Sequence, residues 1–198
     1  MSFPRLRDRG LEAFYNCKKL AGELALPSSL KGVNESAFAG GTRGDVSLAP
    51  KLTSLLGLEN TKLATVGVAA FKGNMIGGAL TFPVTLDSVG ASAFQNNLIT
   101  KVSFLNTTVD KIVLGSSCFQ NNKIKTNPLT QGVRFGMADY AFADNSLTGE
   151  FSFENENVPA PARGVISGNP GVTKVTISKF WGSFPADAFK GLAGLKGS

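Results

Sequence analysis

The chain has 198 residues, 42% of them apolar, enough to build the core of one domain or two small ones. Histidine is absent and cysteine occurs only twice, which excludes His-based triads, His-rich zinc sites, a four-thiolate metal site and a disulfide framework. The net charge of +6, from 20 basic and 14 acidic residues, is modest and scattered apart from Arg5, Arg7 and Arg9, and reads as a solvated surface.

Along the chain the dipeptide Ala-Phe recurs at Ala13-Phe14, Ala37-Phe38, Ala70-Phe71, Ala93-Phe94, Ala141-Phe142 and Ala188-Phe189, with Cys118-Phe119 as a variant. The steps between the phenylalanines are 24, 33, 23, 25, 23 and 47 residues. The last step divides into two ordinary periods if Ile166 takes the phenylalanine place. Asparagine follows three residues later at Asn74, Asn97, Asn122, Asn145 and Asn169. An aliphatic residue comes next (Leu20, Ile76, Ile99, Ile124, Leu147, Val172), then an alternating apolar pair. The pairs are Leu24/Leu26, Val46/Leu48, Leu80/Phe82, Val102/Phe104, Phe151/Phe153 and Val175/Ile177. Period-two alternation predicts a short half-buried strand at each, ended by Pro27, Pro50 or Pro83 in three cases. A second apolar pair (Leu30/Val33, Leu63/Val66, Leu86/Val89) precedes the next Ala-Phe.

A unit of 23 to 24 residues cannot bury its own apolar side chains, but stacked units can, each turn covering the next. The repeat therefore predicts one solenoid domain over residues 1–198, β-rich, with parallel strands and about eight turns including a partial one at each end. The phenylalanines should form a buried spine and the asparagines a ladder of amides bonded to turn backbone. The step of 33 places an insertion of about ten residues within 48–63, packed back on the stack through Leu52, Leu55, Leu56 and Leu58.

The strings "LALPSSLKGVNESAF", "LTFPVTLDSVGASAFQNNLITKVSF" and "YAFADNSLTGEFSF" resemble BspA-like leucine-rich repeats, the Treponema pallidum type. The resemblance covers nearly all of Leu11 to Leu195; the turn around Lys125 to Met137 is weak and that around Ile166 degenerate. It implies a leucine-rich-repeat solenoid with parallel strands on its concave face and short strands or helical turns opposite. It also implies a bacterial surface or secreted protein, extracellular or periplasmic, that adheres to a protein partner such as a host matrix protein.

In the strands, residues alternating with the core pairs should face the concave surface. Lys101, Ser103, Glu150, Ser152, Lys174 and Thr176 are the candidate protein-binding residues there. Arg43-Gly44-Asp45 is an RGD tripeptide, the integrin-recognition sequence, although Asp45 falls where a strand is expected to begin. Phe180, Trp181 and Phe184 form the densest aromatic cluster, read as a packed terminal turn with a small-molecule or lipid pocket as the alternative. The carboxylate pairs Glu154/Glu156 and Asp8/Glu12 lack an orienting base, and Cys17 and Cys118 lack a histidine partner, so neither an enzyme nor a metal or cofactor site is expected. The two cysteines, four turns apart along the stack, should not be bonded to each other. Two functions remain open: a protein-binding adhesion module, and binding of a polyanion such as a glycosaminoglycan or nucleic acid through the basic surface. Solenoid ends need caps, and the incomplete units at both ends leave oligomerisation through them open. No stretch approaches the ~20 apolar residues of a membrane span. The charged opening has no signal-peptide core, so the chain is cytosolic or has lost a leader.

Overall fold

A computed structural model describes residues 20–40, 51–105, 110–129, 133–153, 162–177 and 183–195. The chain winds as a parallel β-solenoid with a repeat of about 23 residues, contributing strands to two sides of the stack. On one side lie short strands: β2 (Gly32–Val33), β4 (Thr65–Val66), β6 (Ser88–Val89), β8 (Ile112–Leu114) and β9 (Phe135–Met137). They form one five-stranded parallel sheet in that order. On the other side lie long strands: β1 (Ala21–Ala25), β3 (Lys51–Leu56), β5 (Gly77–Phe82), β7 (Leu98–Phe104), β10 (Thr148–Ser152) and β11 (Gly171–Thr176). These pair two by two, β1 with β3, β5 with β7 and β10 with β11, all parallel.

Each long-strand pair has one break in register. In β7 Thr100 is left unpaired between Ile99 and Lys101, which lie opposite Gly78 and Ala79 of β5. Thr53 of β3 and Thr173 of β11 are skipped in the same way, opposite Gly22/Glu23 of β1 and Gly149/Glu150 of β10. Gly22, Gly78 and Gly149 have φ of 83, 73 and 74°, and a Cβ at any of them would meet nothing within 4 Å. Glycine is required there by the left-handed backbone opposite the extra residue and not by crowding.

The two columns expected from the repeat are present. Phe38, Phe71, Phe94, Phe119 and Phe142 stack nearly face to face, with centroids 5.2 to 5.4 Å apart. All five are buried, and Ile166, 1% exposed, continues the column. Each asparagine amide bonds in the same way. Asn122 Nδ2 donates to Phe94 O at 2.9 Å and Phe119 O at 3.0 Å, while its Oδ1 accepts from Ile99 N at 3.1 Å. Asn74, Asn97, Asn145 and Asn169 repeat this pattern. The turns entering the spine share a left-handed residue two before the phenylalanine place: Ser36, Ala69, Ser92, Ser117, Tyr140, Gly164 and Asp187. The expected total of about eight turns also includes one around Phe14, which lies outside the described residues.

The structure departs from the sequence reading, or sharpens it, in three places. First, the segment read as an inserted bulge carries strand β3, paired with β1, and Leu52 and Leu55 are buried in the stack. Leu52 N donates to Asn74 Oδ1 at 3.2 Å, the bond that Ile76, Ile99 and Ile124 make to their own following asparagines. That bond sets the phase. Phe71 precedes Ile76 by five residues, but Phe38 precedes Leu52 by fourteen, so the nine extra residues lie upstream of Leu52. A 3-10 turn does form over Leu58–Asn60, with Leu58 buried. The expected strand at Val46/Leu48, with Pro50 at its end, lies outside the described residues.

Second, the turn after β7, which the sequence reading found weak, has no long strand among the described residues. Asn127 Oδ1 accepts from Leu129 N at 3.0 Å, and Pro128 has no N–H for a ladder, so the segment bends where β7 and β11 continue as strands. Third, the phenylalanine column is not covered at its last member. Phe189 is 39% exposed, since no later phenylalanine stacks on it; Phe184, itself 59% exposed, packs against it at 5.5 Å.

Candidate binding face

The long-strand side presents the candidate residues. Register sets Glu150 opposite Lys174 and Ser152 opposite Thr176 across β10 and β11. Three of the four touch: Lys174 Nζ lies 3.0 Å from Glu150 Oε1, and Thr176 Oγ1 donates to the same oxygen. These two bonds, the Thr176 hydroxyl first and then the Lys174 ammonium, hold the Glu150 carboxyl below its ordinary range. Lys174 is therefore neutralised locally instead of standing free.

Lys101 and Ser103 lie on β7 beside Ala79 and Thr81 of β5. They belong to a different two-stranded sheet, separated from the Glu150 group by the bent turn at Asn127-Pro128. The six candidates thus fall into two groups. In the β3 turn the outward positions are Ser54 and Leu56, opposite Glu23 and Ala25; Leu56 is 44% exposed. Arg43-Gly44-Asp45, Phe180, Trp181 and Cys17 lie outside the described residues.

At the other end of the stack, Phe153, Ala162, Val165, Ile166, Pro185, Ala188 and Phe189 line an apolar crevice with about 10 Å³ of free space. A single water fills such a volume, so the crevice lends no support to a small-molecule pocket. Cys118 is a free, fully buried thiol in the alanine position beside the spine, and burial pushes its ionisation far up. Among the described residues no group of three or more Cys, Asp or Glu side chains is placed to hold a metal ion, and no helix is long and apolar enough to cross a membrane.

Sequence reasoning missed a polar cluster on the turns of the last units. Arg163 Nε donates to Asp187 Oδ2 at 2.9 Å, and Tyr140 OH donates to the same oxygen at 3.2 Å. The Arg163 guanidinium sits 6.0 Å from the centre of the Tyr140 ring. It also missed a row of polar side chains: Gln95 donates to Gln120, Gln120 to Asp144, and Asn121 to Asn96. Both sit at repeat positions flanking the phenylalanine, and aligning the units on that residue brings them into register.

Compared with known proteins, the chain matches the family model described as the BspA type leucine-rich repeat region, in six copies over residues 3–56 and 64–196. No curated protein matches. Among solved structures, a leucine-rich repeat protein from Bacteroides ovatus ATCC 8483 is similar at 16% identity, with a TM-score of 0.33. The alignment covers 92% of this chain and 61% of that one, so the chain spans less than two thirds of the solved protein's length.

Proposed function

The chain belongs to the BspA-type leucine-rich-repeat family, and from that membership we propose that it is a non-enzymatic protein-binding module whose long-strand side meets a protein partner. The observation that carries the reading is the make-up of that side. Ser103 in one group, and Ser152 and Thr176 in the other, present half-buried short hydroxyl side chains, with Lys101, Glu150 and Lys174 exposed beside them. Small hydroxyls let a partner's surface approach closely, and charges of both signs set its register while adding little net attraction. Family resemblance supports a place on or outside the cell surface and adhesion to another protein, a host matrix protein among the candidates.

The test is capture of the folded chain on immobilised matrix proteins at two salt concentrations, with Ser103→Arg/Thr176→Arg as the variant. Binding that persists at high salt and is lost in the variant supports the reading. Capture that collapses with salt and is indifferent to the variant indicates a polyanion ligand instead. Unchanged capture at both salts moves the site off the long-strand side.

A further inference from the structure

The bent turn that divides the long-strand side also gathers its uncompensated charge. Lys123 and Lys125 flank buried Ile124 and are exposed, and Lys101 is exposed on the preceding turn. Backbone bonds fix their proximity: Lys123 N donates to Ile99 O at 2.9 Å and Lys125 N to Thr100 O at 3.2 Å. None of the three has a carboxylate partner among the described residues. Of the described carboxylates on the following turn, Asp144 is engaged by Gln120 and Glu150 by Lys174 and Thr176.

Beside the lysines is exposed apolar surface. Met75, Leu98 and Lys123 occupy one column, each directly before a buried isoleucine: Ile76, Ile99 and Ile124. Met75 and Leu98 are each 43% exposed. Gly77, paired with Leu98, adds no side chain to cover them.

We propose that this patch binds an acidic segment of a protein partner, one that carries an apolar side chain among its carboxylates. The inference rests on the protein-binding reading above and names the chemistry of the partner. Three cations within two adjacent turns, without counter-ions among the described residues, favour an anionic ligand and a salt-sensitive on-rate. Met75 and Leu98 decide which kind. A sulfated sugar or a phosphate chain offers them nothing to bury, whereas a peptide side chain removes them from water.

The probe is a labelled extended peptide of alternating Glu and Leu, followed by fluorescence anisotropy, with an alternating Gln and Leu peptide and heparin as comparisons. The wild type should bind the Glu/Leu peptide. Lys123→Glu/Lys125→Glu should weaken binding by about tenfold or more, as expected when close charge pairs become repulsive. Leu98→Ser should weaken it by roughly threefold through lost apolar contact. Both variants should keep the wild-type unfolding midpoint, since the altered side chains are exposed. Failure of the wild type to bind the peptide, equal binding of the Gln/Leu peptide, or unchanged affinity in the lysine variant would each overturn the proposal. Heparin binding lost in the lysine variant but indifferent to Leu98→Ser, with no peptide binding, would also overturn it and assign the patch to polyanions. If Ser103→Arg/Thr176→Arg abolishes partner capture while the lysine variant does not, this proposal falls and the long-strand reading stands.

Discussion

Tyr140 lies across Gly164 and donates its hydroxyl to Asp187 Oδ2 at 3.2 Å, so one side chain ties together three successive turns. All three residues occupy the same repeat position, two before the phenylalanine place, and all three have left-handed backbone. A Cβ on Gly164 would sit 2.5 Å from Tyr140 Cε1. The missing side chain in the middle turn is what lets the ring reach the outer one.

This makes Gly164→Ala informative. Its φ of 53° is not itself prohibitive, because Ala69 adopts 51° at the equivalent position. The cost should come from the clash with the ring, about 1–3 kcal/mol as for other overpacked sites. Chemical denaturation should show that loss in the single variant. It should be mostly recovered against a Tyr140→Ser background, where the ring is gone. An equal loss in both backgrounds would assign the cost to backbone alone.

Asp187 also gives the last turns a pH signature. The Arg163 guanidinium, then Tyr140 and Lys190, hold its carboxyl below the ordinary range. A depressed carboxyl contributes stability that is present above its unfolded value, about 3.9, and lost as pH falls through the lower folded value. Tyr140 is shifted the other way, upward, by partial burial and then by its bond to Asp187. Its contribution is present below the unfolded value of about 10 and lost as pH rises through the folded one. The destabilisation caused by Asp187→Asn should therefore be constant between about pH 5 and 9 and shrink below about pH 4. Urea melts of both proteins across that range check it; a deficit that grows on acidification would contradict the assignment.

What was legible in the sequence was whatever recurs with the same residue type. Phenylalanine three before asparagine survives in most turns, and even Ile166 could be placed because Asn169 keeps its distance. Legibility failed where two segments fit one pattern. Val46/Leu48 and Leu52/Leu55 both offer spaced apolar residues, and only the bond from Leu52 N to Asn74 Oδ1 shows which is in phase. The candidate face was legible as to which residues of β7, β10 and β11 are exposed or half-buried. Its division was not, since Asn127-Pro128 weakens one turn without any charge or aromatic signal. The Tyr140–Gly164–Asp187 tie was invisible for a different reason: its members share a column but no chemistry.

The asparagine ladder should be structural and position-dependent. Removing Asn122 leaves Phe94 O and Phe119 O each with a remaining amide partner, from Asn97 and Asn145. Ile99 N loses its acceptor in a fully buried place. One orphaned buried donor costs about 1–3 kcal/mol, so Asn122→Ala should destabilise by roughly that amount in denaturant melts. Asn122→Asp restores the acceptor but places a carboxylate in a site 1% exposed, and should be worse at pH 7 than the alanine variant. A neutral Asn122→Ala would mean that the amides fill space and bear no backbone load.

Cys118 should be inert in the folded chain. Its side chain is 0% exposed and contacts Ala141 O at 3.9 Å, a distance typical of a weak thiol donor. Burial raises its ionisation far above that of a free thiol, so the thiolate that would react with an alkylating reagent is scarce at neutral pH. Alkylation with iodoacetamide, followed by mass spectrometry of the peptide bearing Cys118, should show no modification under native conditions and complete modification in denaturant. The rate of modification across intermediate urea should follow global unfolding, because Cys118 belongs to the continuous buried core of the stack. The position is occupied by Ala70, Ala93 and Ala141 in neighbouring units, and the backbone accepts alanine there without change. Cys118→Ala should therefore cost less than about 1 kcal/mol, the value of one small buried sulfur group. Rapid native labelling of Cys118 would mean that the stack opens at its centre, and that the phenylalanine spine is not the continuous core described above.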